Sequence, residues 1–258
     1  MHKARLAMKN YFRVFRKALR LAGDPYYRRA LRLGVGAAIE HEPMLLTLAN
    51  FGVRTVLDVG ANIGQFTLVS RRVFPDARVI AFEPLAAECE RFLAVHAGDL
   101  QVKLVRAALG PERAELAMHV AGARDSSSLL PITATQAHLF PGTAETHRES
   151  VQVLPLVEAV SDAELTGPLL LKIDVQGFEL QVLEACAPVL NRVEFVYVEC
   201  SFVELYVGQA MAGEVVAWLQ KRGFALTGIG SLTQGPSGVG VQADFLFRRG
   251  VDSVEEAT

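Results

Sequence analysis

The sequence predicts an α/β fold with a parallel sheet that is covered by helices on both faces. Two observations predict it. Short, nearly continuous apolar segments alternate with segments of helical periodicity, a pattern typical of strands that are buried on both faces. In addition, 51% of the residues are hydrophobic and 21% are charged, so the chain can bury a large core.

The first predicted strand, TVLDV (55–59), is β-branched and apolar, and a glycine and a helical pattern from about Gly64 to Val73 follow it. A second helical pattern runs from about Leu85 to Ala97, and ELQVLEACAPVL and MAGEVVAWLQKRG are helical between later strands. The other predicted strands are RVIAF (78–82), QVKLVRAAL (101–109), LLLKIDV (169–175), EFVYVEC (194–200), GFALTGI (223–229) and ADFLFRR (243–249). Alternation of this kind indicates a parallel sheet.

The block from about 110 to 155 breaks this alternation. It contains an alternating run, AELAMHV, then a serine-rich loop, RDSSSLL, and a second alternating run, VQVLP. We interpret it as an inserted hairpin and loop over one end of the sheet, within a single domain at 36–250. The last residues, 251–258, have the composition of a flexible tail.

The N-terminal arm, 1–35, is predicted to be a basic amphipathic helix. One face carries bases: Arg5, Lys9, Arg13, Arg16 and Arg20. The opposite face is apolar: Ala4, Met8, Tyr11, Phe15, Ala18 and Ala22, with Phe12 and Leu19 beside it. Two interpretations stay open: contact with an anionic membrane surface, or packing of the apolar face on the body or on a second subunit.

Charge and cysteine content narrow the function classes. A net charge of −2 argues against a protein that binds nucleic acid over its whole surface. Cys89, Cys186 and Cys200 are too few and too scattered for a disulfide framework or a zinc site. The sequence shows neither a membrane-spanning apolar run nor a signal-peptide pattern, so we expect a cytoplasmic protein.

The turn after the first strand predicts the cofactor. Its pattern is D-x-G-x-x-x-G, formed by Asp58, Gly60 and Gly64, whereas a dinucleotide fingerprint would need glycines at Asn62 and Gln65. An acid beside the turn would repel a pyrophosphate but suits a cationic aminoacyl or sulfonium ligand. Glu83 ends the second strand, where an acid can accept hydrogen bonds from ribose hydroxyls. The pattern therefore favours S-adenosylmethionine over NAD.

Several segments together resemble a known family. DVGANIGQFTL, AFEP, LKIDVQGFELQVLEA, VECSF followed by LY, and DFLFRR are similar to FkbM-type methyltransferases over about Thr55 to Arg249. The family uses S-adenosylmethionine and has a seven-stranded, Rossmann-like class I methyltransferase fold. One departure is visible, because a Thr-Leu-Asp segment of the family corresponds here to Pro155-Leu156-Val157. An acid is therefore missing, and Glu158 is its only nearby substitute candidate.

The resemblance implies methyl transfer to a hydroxyl oxygen of a sugar, a glycan, or a glycosylated or polyketide-type natural product. The residues agree, because Asp174-Val-Gln-Gly stands where enzymes that methylate amino groups of bases have Asn- or Asp-Pro-Pro-aromatic. The residues expected at the cofactor are Asp58, Gly60, Ala61, Asn62, Gly64, Glu83, Pro84, Ala107 and Asp174. Ala107 is placed near the adenine by fold position alone.

Two acids are the candidates for catalysis. Asp174 and Glu199 end neighbouring predicted strands, so their carboxylates should face one crevice. A hydroxyl is a poor nucleophile at neutral pH and needs help as its proton leaves. The two acids could act as general base and orienting group, or together hold a Mg²⁺ ion, and both alternatives stay open.

Four residues are candidates on the acceptor side: Ser127, Ser128, Glu179 and Tyr206. Glu179 also has a purely structural interpretation, since an acid in the first turn of a helix is stabilised there. His138 and His147, in the insert, are weaker candidates for the base.

Three other functions are considered. A nicotinamide-dependent oxidoreductase and a non-catalytic cofactor-binding module that docks through the basic arm are the main alternatives. Ribose methylation of RNA is disfavoured by the acidic balance of the body.

Overall fold

A computed structural model describes residues 17–250 of the chain, and ten strands form two sheets. The strands are β1 (Thr55–Val59), β2 (Arg78–Phe82), β3 (Val102–Val105), β4 (Ala108–Leu109), β5 (Ala114–Ala121), β6 (Glu145–Leu154), β7 (Leu169–Ile173), β8 (Val193–Ser201), β9 (Phe224–Gln234) and β10 (Gly240–Arg249). The larger sheet has the order β3-β2-β1-β7-β8-β10-β9. β10 pairs antiparallel with β8 and β9, and the other neighbours pair in parallel.

Helices cover both faces of this sheet. They are α1 (Pro25–Arg32), α2 (Glu42–Thr47), α3 (Gln65–Val73), α4 (Ala86–Val95), α5 (Ala134–Leu139), α6 (Leu156–Ala159), α7 (Glu179–Cys186) and α8 (Ala212–Gln220). Short 3₁₀ helices lie at Ile39–His41, Ala49–Phe51, Arg124–Ser126, Asp162–Glu164 and Ala187–Arg192. The predicted seven-stranded, mostly parallel sheet with helices on both faces is confirmed.

Two hydrophobic clusters lie on opposite faces because successive side chains of a strand point in opposite directions. On one face, Leu57 and Leu171 pack with Leu183 of α7 and Leu219 of α8. On the other face, the alternate positions Val56, Leu170 and Tyr197 pack with Leu45 of α2 and Phe66 of α3. This second face also carries the charged residues that lie nearest the strand ends.

The third predicted strand, 101–109, is divided in two. Val102–Val105 joins the large sheet, whereas Ala108–Leu109 pairs with β6 in a small sheet of order β4-β6-β5. The chain turns between them, with the Ala107 N–H donating to the Val105 carbonyl at 2.9 Å. The insert therefore contains the predicted hairpin, β5 with β6, and shares a sheet with the end of the third strand segment.

The described part of the basic arm contains two helical segments. Residues 17–23 are helical, and a new helix then begins at Pro25, which the Asp24 side chain caps by accepting from the Tyr26 N–H at 2.8 Å. Ala18, Leu19 and Ala22, assigned to the apolar face, are exposed, and Leu21 is buried instead. The rest of the predicted arm, residues 1–16, and the predicted tail, 251–258, lie outside the described residues.

The glycine turn after β1 packs directly on the end of β7. Gly60 has φ +75°, and a Cβ atom there would lie 1.8 Å from the Asp174 carbonyl oxygen. The Gly60 and Ala61 N–H groups both donate to the Phe82 carbonyl, at 3.1 and 3.0 Å. The turn is therefore fixed against both neighbours of β1.

Gly60→Ala is expected to destabilise the fold by at least about 2 kcal/mol, because the left-handed backbone alone costs about 1–2 kcal/mol for an L-residue and the new methyl group displaces β7. Equilibrium denaturation by urea measures this change. The matched control is Gly213→Ala in α8, where nothing lies within 4 Å of the added Cβ. Alanine there should stabilise the helix by about 0.5–1 kcal/mol. Equal behaviour of the two variants would contradict the tight packing at Gly60.

Candidate active site

A cavity opens at the carboxyl ends of β1, β2 and β7, where open α/β sheets bind their ligands. Seven of the predicted residues lie on its wall: Gly60, Ala61, Asn62, Glu83, Pro84, Ser127 and Asp174. Seven others do not line it: Asp58, Gly64, Ala107, Ser128, Glu179, Glu199 and Tyr206. Most of this second group supports the wall from behind, and Ala108, the neighbour of Ala107, lines the cavity.

Glu83 holds the two loops that form one side of the cavity. Its carboxylate accepts from the Asn62 N–H and from the Leu85 N–H, each at 2.9 Å. Burial raises the pKa of Glu83 to about 7, although these two backbone donors oppose the shift. Each carboxylate oxygen has more than one lone pair, so Glu83 can still accept from a ligand hydroxyl.

Asp58 lies beneath the glycine turn and is paired within the protein. It is fully buried, accepts from the Thr67 hydroxyl at 2.6 Å, and lies 3.1 Å from Lys172 Nζ. Asp58 and Lys172 are register partners on β1 and β7, so they project from the same face of the sheet. The positive charge that Asp58 faces therefore belongs to Lys172, and not to a cationic ligand as the glycine-turn pattern suggested.

Lys172 connects this ion pair to the cavity. Its ammonium group donates to the Gly60 carbonyl at 3.0 Å and to the Val59 carbonyl at 3.3 Å, and it lies 3.9 Å from Asp174 Oδ2. Burial acts to lower the pKa of Lys172, but the carboxylates of Asp58 and Asp174 outweigh it and raise the pKa above its usual value. Lys172 is charged in the folded protein.

Gln176 brings Asp174 and Glu199 together. Its side-chain Nε2 donates to Asp174 Oδ1 at 2.8 Å and to Glu199 Oε2 at 3.1 Å. The Asp174 side chain is 35% exposed and faces the cavity, whereas Glu199 is held from the other side by Gln242 at 2.6 Å. Burial, followed by the charges of Asp174, Asp244 and Glu179, raises the pKa of Glu199 well above its usual value.

Tyr206 and Ser128 fix Gln176 from the side of the insert. The buried Tyr206 hydroxyl lies 2.7 Å from Gln176 Oε1 and 3.0 Å from the Ser126 carbonyl oxygen. The Ser128 hydroxyl donates to the Gln176 carbonyl at 2.6 Å. Gln176 itself has φ +58°, a left-handed conformation that is uncommon for a residue with a side chain. Because Tyr206 faces the amide oxygen, the amide nitrogen faces the two acids.

Glu179 stabilises the turn before α7. It is buried, and its Oε1 accepts from the Gly177 N–H at 2.9 Å. Burial raises the pKa of Glu179 to about 7, against the effect of this backbone donor. The contact accords with the structural alternative considered for this residue, while its predicted role toward a substrate stays a prediction.

Of the remaining predicted residues, Gly64 and Ser127 contribute to the packing of the site, whereas the two histidines of the insert do not. A Cβ at Gly64 would lie 2.4 Å from His96 Nε2, so the glycine lets α3 begin against that ring. Ser127 is buried and accepts from the Ala121 N–H at 3.2 Å. His138 and His147 are exposed and off the cavity wall.

Among the wall residues that the sequence analysis did not predict are four polar ones with contacts to other residues of the site: His41, Arg124, Lys172 and Gln176. Lys172 carried a signal, since it is a lone charge inside the apolar strand LLLKI. Arg124 pairs with the buried Glu88 (Nη2–Oε2 2.7 Å), which fastens the insert to α4. His41 and Gln176 stand in segments whose sequence pattern does not indicate their surroundings.

Within residues 17–250, no group of three or more His, Cys, Asp and Glu side chains is arranged to hold a metal ion. The place between Asp174 and Glu199 is taken by the Gln176 amide nitrogen, which already donates to both carboxylates. In the same part of the chain, no helix is long and apolar enough to cross a membrane.

Comparisons with known proteins find one family model and several similar proteins. The family model described as the methyltransferase FkbM domain matches residues 58–226. Methyltransferase 1 of Beauveria bassiana is 28% identical over 184 residues, covering 66% of this chain and 72% of that protein. Methyltransferase sdnD of Sordaria araneosa is 26% identical over 196 residues, covering 67% and 74%. The solved structure of M. capricolum TrmK with S-adenosyl-homocysteine has a TM-score of 0.45 at 6% identity, covering 80% of this chain and 68% of that one.

Lys172→Met is expected to lower the free energy of unfolding by about 3–5 kcal/mol, because it leaves the Asp58 charge buried and unpaired. Adding Asp58→Asn should recover part of this loss, since the uncompensated charge is then gone. Urea denaturation of the two single variants and the double variant measures the coupling. Lys103→Met, which removes an exposed pair with Glu164, is the control and should cost about 0–1 kcal/mol. Additive effects of Lys172→Met and Asp58→Asn would contradict the buried pair.

Glu179→Gln is expected to change how stability depends on pH. Between pH 4.5 and about 7 the folded protein holds a proton on Glu179 that the unfolded chain has lost, so this residue makes stability fall as pH rises through that window. Glutamine removes the effect, which is on the order of 3 kcal/mol, and can still accept from the Gly177 N–H. Urea midpoints from pH 5 to 8 measure it.

The control for this experiment is Glu90→Gln, which alters an exposed acid on α4. It should leave the pH profile of stability as in the wild type. A Glu179→Gln profile parallel to that of the wild type would show that Glu179 is ionised at its usual pH in the folded protein.

Proposed function

The chain belongs to the FkbM methyltransferase family, and we propose that this S-adenosylmethionine-dependent methyltransferase acts on a hydroxyl oxygen. The acceptor class we propose is a sugar, a glycan, or a glycosylated or polyketide-type natural product. Family membership sets aside the nicotinamide-dependent oxidoreductase and the non-catalytic module. The fold is the Rossmann-like class I methyltransferase fold, with a small additional sheet.

Methyl transfer from a sulfonium requires mainly that the protein align the acceptor oxygen with the methyl group. S-adenosylmethionine supplies a methyl group on a sulfonium sulfur, which is a good leaving group. The chain therefore has to place the acceptor oxygen in line with that methyl group and to assist the departure of one proton.

The donor set on the cavity wall fits S-adenosylmethionine. Glu83 combines a carboxylate on the wall with the position expected for ribose hydroxyls at the end of β2. Leu85 and Leu109 supply apolar surface next to it, suited to a purine ring. Asp174, partly exposed on the opposite side of the glycine turn, suits the cationic aminoacyl end.

The observation that carries the proposal for oxygen is the arrangement around Asp174. Its Oδ1 is held by Gln176 at 2.8 Å, while Oδ2 has no neighbour within hydrogen-bond distance among the described residues and lies 3.9 Å from the Lys172 ammonium. A fixed carboxylate with one open oxygen can orient the reacting groups at the strand end.

Transfer without a metal ion accords better with this arrangement than a shared Mg²⁺. A cation bridging Asp174 and Glu199 would have to displace the Gln176 amide from both carboxylates. We therefore propose that the Gln176 amide nitrogen occupies the position between the two carboxylates where the sequence analysis allowed a Mg²⁺ ion. The contact of the arm with a membrane or a second subunit stays a prediction, as does a cytoplasmic location.

Asp174→Asn is expected to lower the rate of methyl transfer to a hydroxyl acceptor by about 10²–10⁴-fold, because an amide can neither carry the charge nor accept as strongly. Transfer of radiolabelled methyl from S-adenosylmethionine to a panel of sugars, glycosides and hydroxylated polyketides measures it, with and without EDTA. EDTA should leave the rate unchanged.

Glu179→Gln is the matched control, since it alters a buried acid that faces the Gly177 backbone instead of the cavity. It should retain activity near that of the wild type. Loss of activity in Glu179→Gln with retention in Asp174→Asn would reverse the roles assigned to the two acids, and methylation of amines alone would refute the oxygen acceptor. Calorimetric titration should detect binding of S-adenosylhomocysteine and none of NAD.

A further inference from the structure

We propose that His41 and Asp244 form a dyad in which Nε2 of His41 takes the proton of the acceptor hydroxyl. The inference rests on the proposed function, because only an acceptor that loses a proton requires it. Both residues lie outside the residues matched by the family model, 58–226. The assignment therefore comes from the surroundings of His41 in this fold.

His41 reaches the cavity from the 3₁₀ turn Ile39–His41 and lies on the same wall as Asp174 and Lys172. The ring of Phe66 stands between these groups: its centroid is 5.5 Å from that of His41, and Lys172 Nζ is 5.4 Å from it. An imidazole on this wall is within the space where cofactor and acceptor have to meet.

The sheet register brings a carboxylate behind the imidazole. Asp244 of β10 is the register partner of Glu199, and Tyr197 of β8 is the partner of Lys172, so all four project from the cavity face of the sheet. His41 Nδ1 lies 3.3 Å from Asp244 Oδ2 and 2.9 Å from the Tyr197 hydroxyl. Nδ1 is therefore directed at the sheet, and Nε2, on the other side of the ring, is directed away from it.

Nδ1 faces both the Asp244 carboxylate and the Tyr197 hydroxyl, and a carboxylate can only accept. In the dyad the proton of the neutral imidazole is therefore assigned to Nδ1, which leaves the free lone pair on Nε2. Among residues 17–250, no group forms a hydrogen bond with Nε2, and the side chain is 18% exposed. A histidine that only anchored its segment would have no need of an open Nε2 on the cavity wall.

The charges around His41 suit an imidazolium. Burial acts to raise the pKa of Asp244, but His41, Ser231 and Tyr197 together outweigh this effect and hold the pKa below its usual value, so the carboxylate is ionised. Burial raises the pKa of Tyr197, which keeps its proton and stays neutral. Of the other charged groups nearby, Glu40 pairs with Lys17 at 2.6 Å, Glu42 pairs with Arg20 at 2.8 Å, and Lys172 is matched by Asp58.

The step balances without any further reactant. The acceptor oxygen forms a bond to the methyl carbon as the sulfur–carbon bond breaks, and the bonding pair stays on sulfur. The hydroxyl proton passes to Nε2, which leaves a methyl ether, S-adenosylhomocysteine and an imidazolium beside the Asp244 carboxylate. Asp174 orients the reactants in this scheme, and His41 holds the proton until solvent removes it.

His41→Ala is expected to lower kcat by about 10²–10⁴-fold and to leave the affinity for S-adenosylhomocysteine unchanged by calorimetry. Added imidazole should restore part of the rate, since the truncated side chain leaves room for it. Asp244→Asn should lower kcat with little change in KM, because the carboxylate no longer orients the imidazole. His138→Ala, which removes an exposed imidazole off the cavity wall, is the matched control.

Three outcomes would overturn the dyad: a kcat near that of the wild type in His41→Ala, no rescue of that variant by added imidazole, or a loss of S-adenosylhomocysteine affinity that accounts for the whole loss of rate. A failure of the proposed function is recognised separately, from the kind of acceptor that the wild-type protein methylates. Transfer to amines alone refutes the hydroxyl acceptor, and rescue of His41→Ala by imidazole still decides the dyad with that amine. Transfer to carboxylates alone, which need no base, refutes both.

Discussion

The buried ion pair between Asp58 and Lys172 is the interaction on which the site depends. Lys172 also donates to the carbonyls of Val59 and Gly60, so one ammonium group holds the last residues of β1 against β7. The glycine turn and Asp174 are adjacent for this reason, with backbone in contact that leaves no space for a Cβ at Gly60. A buried pair of this kind adds little net stability, but removal of either partner is costly. In this fold the pair serves mainly to position the end of β1 and the glycine turn against β7.

A second set of contacts transmits the position of the insert to the acids. Ser128 and Tyr206 both bind Gln176, and Gln176 binds Asp174 and Glu199. The insert is itself fastened to α4 by Arg124 and Glu88. Any displacement of the insert would therefore change the orientation of one amide and, through it, the two carboxylates. Such a series of contacts gives a physical route by which an acceptor that contacts the insert could adjust the carboxylates of Asp174 and Glu199.

Acid groups are concentrated at this end of the sheet at a cost in stability. Burial raises the pKa of Glu83 and of Glu179 to about 7, and it raises the pKa of Glu199 well above its usual value. Groups of this type cluster where a protein binds or converts a ligand. Backbone N–H groups satisfy Glu83 and Glu179, and amides satisfy Glu199, so each acid has a defined neighbour. Asp174 is the one among these four acids that keeps an oxygen open toward the cavity.

Local patterns in the sequence are sufficient to predict the sheet, the glycine turn and the acids at the strand ends. These patterns are the apolar runs, the glycine spacing and the positions where strands stop. Strands β1 and β2 begin and end at the predicted residues, 55–59 and 78–82. The pairing of the charged side chains, in contrast, follows only from the tertiary structure. Asp58 meets Lys172 across more than a hundred residues, and His41 meets Asp244 across two hundred, through strand register and helix packing that no local pattern encodes. The arm divides into two helical segments at Asp24 for the same reason, since the cap on α1 and the burial of Leu21 against the body set its course.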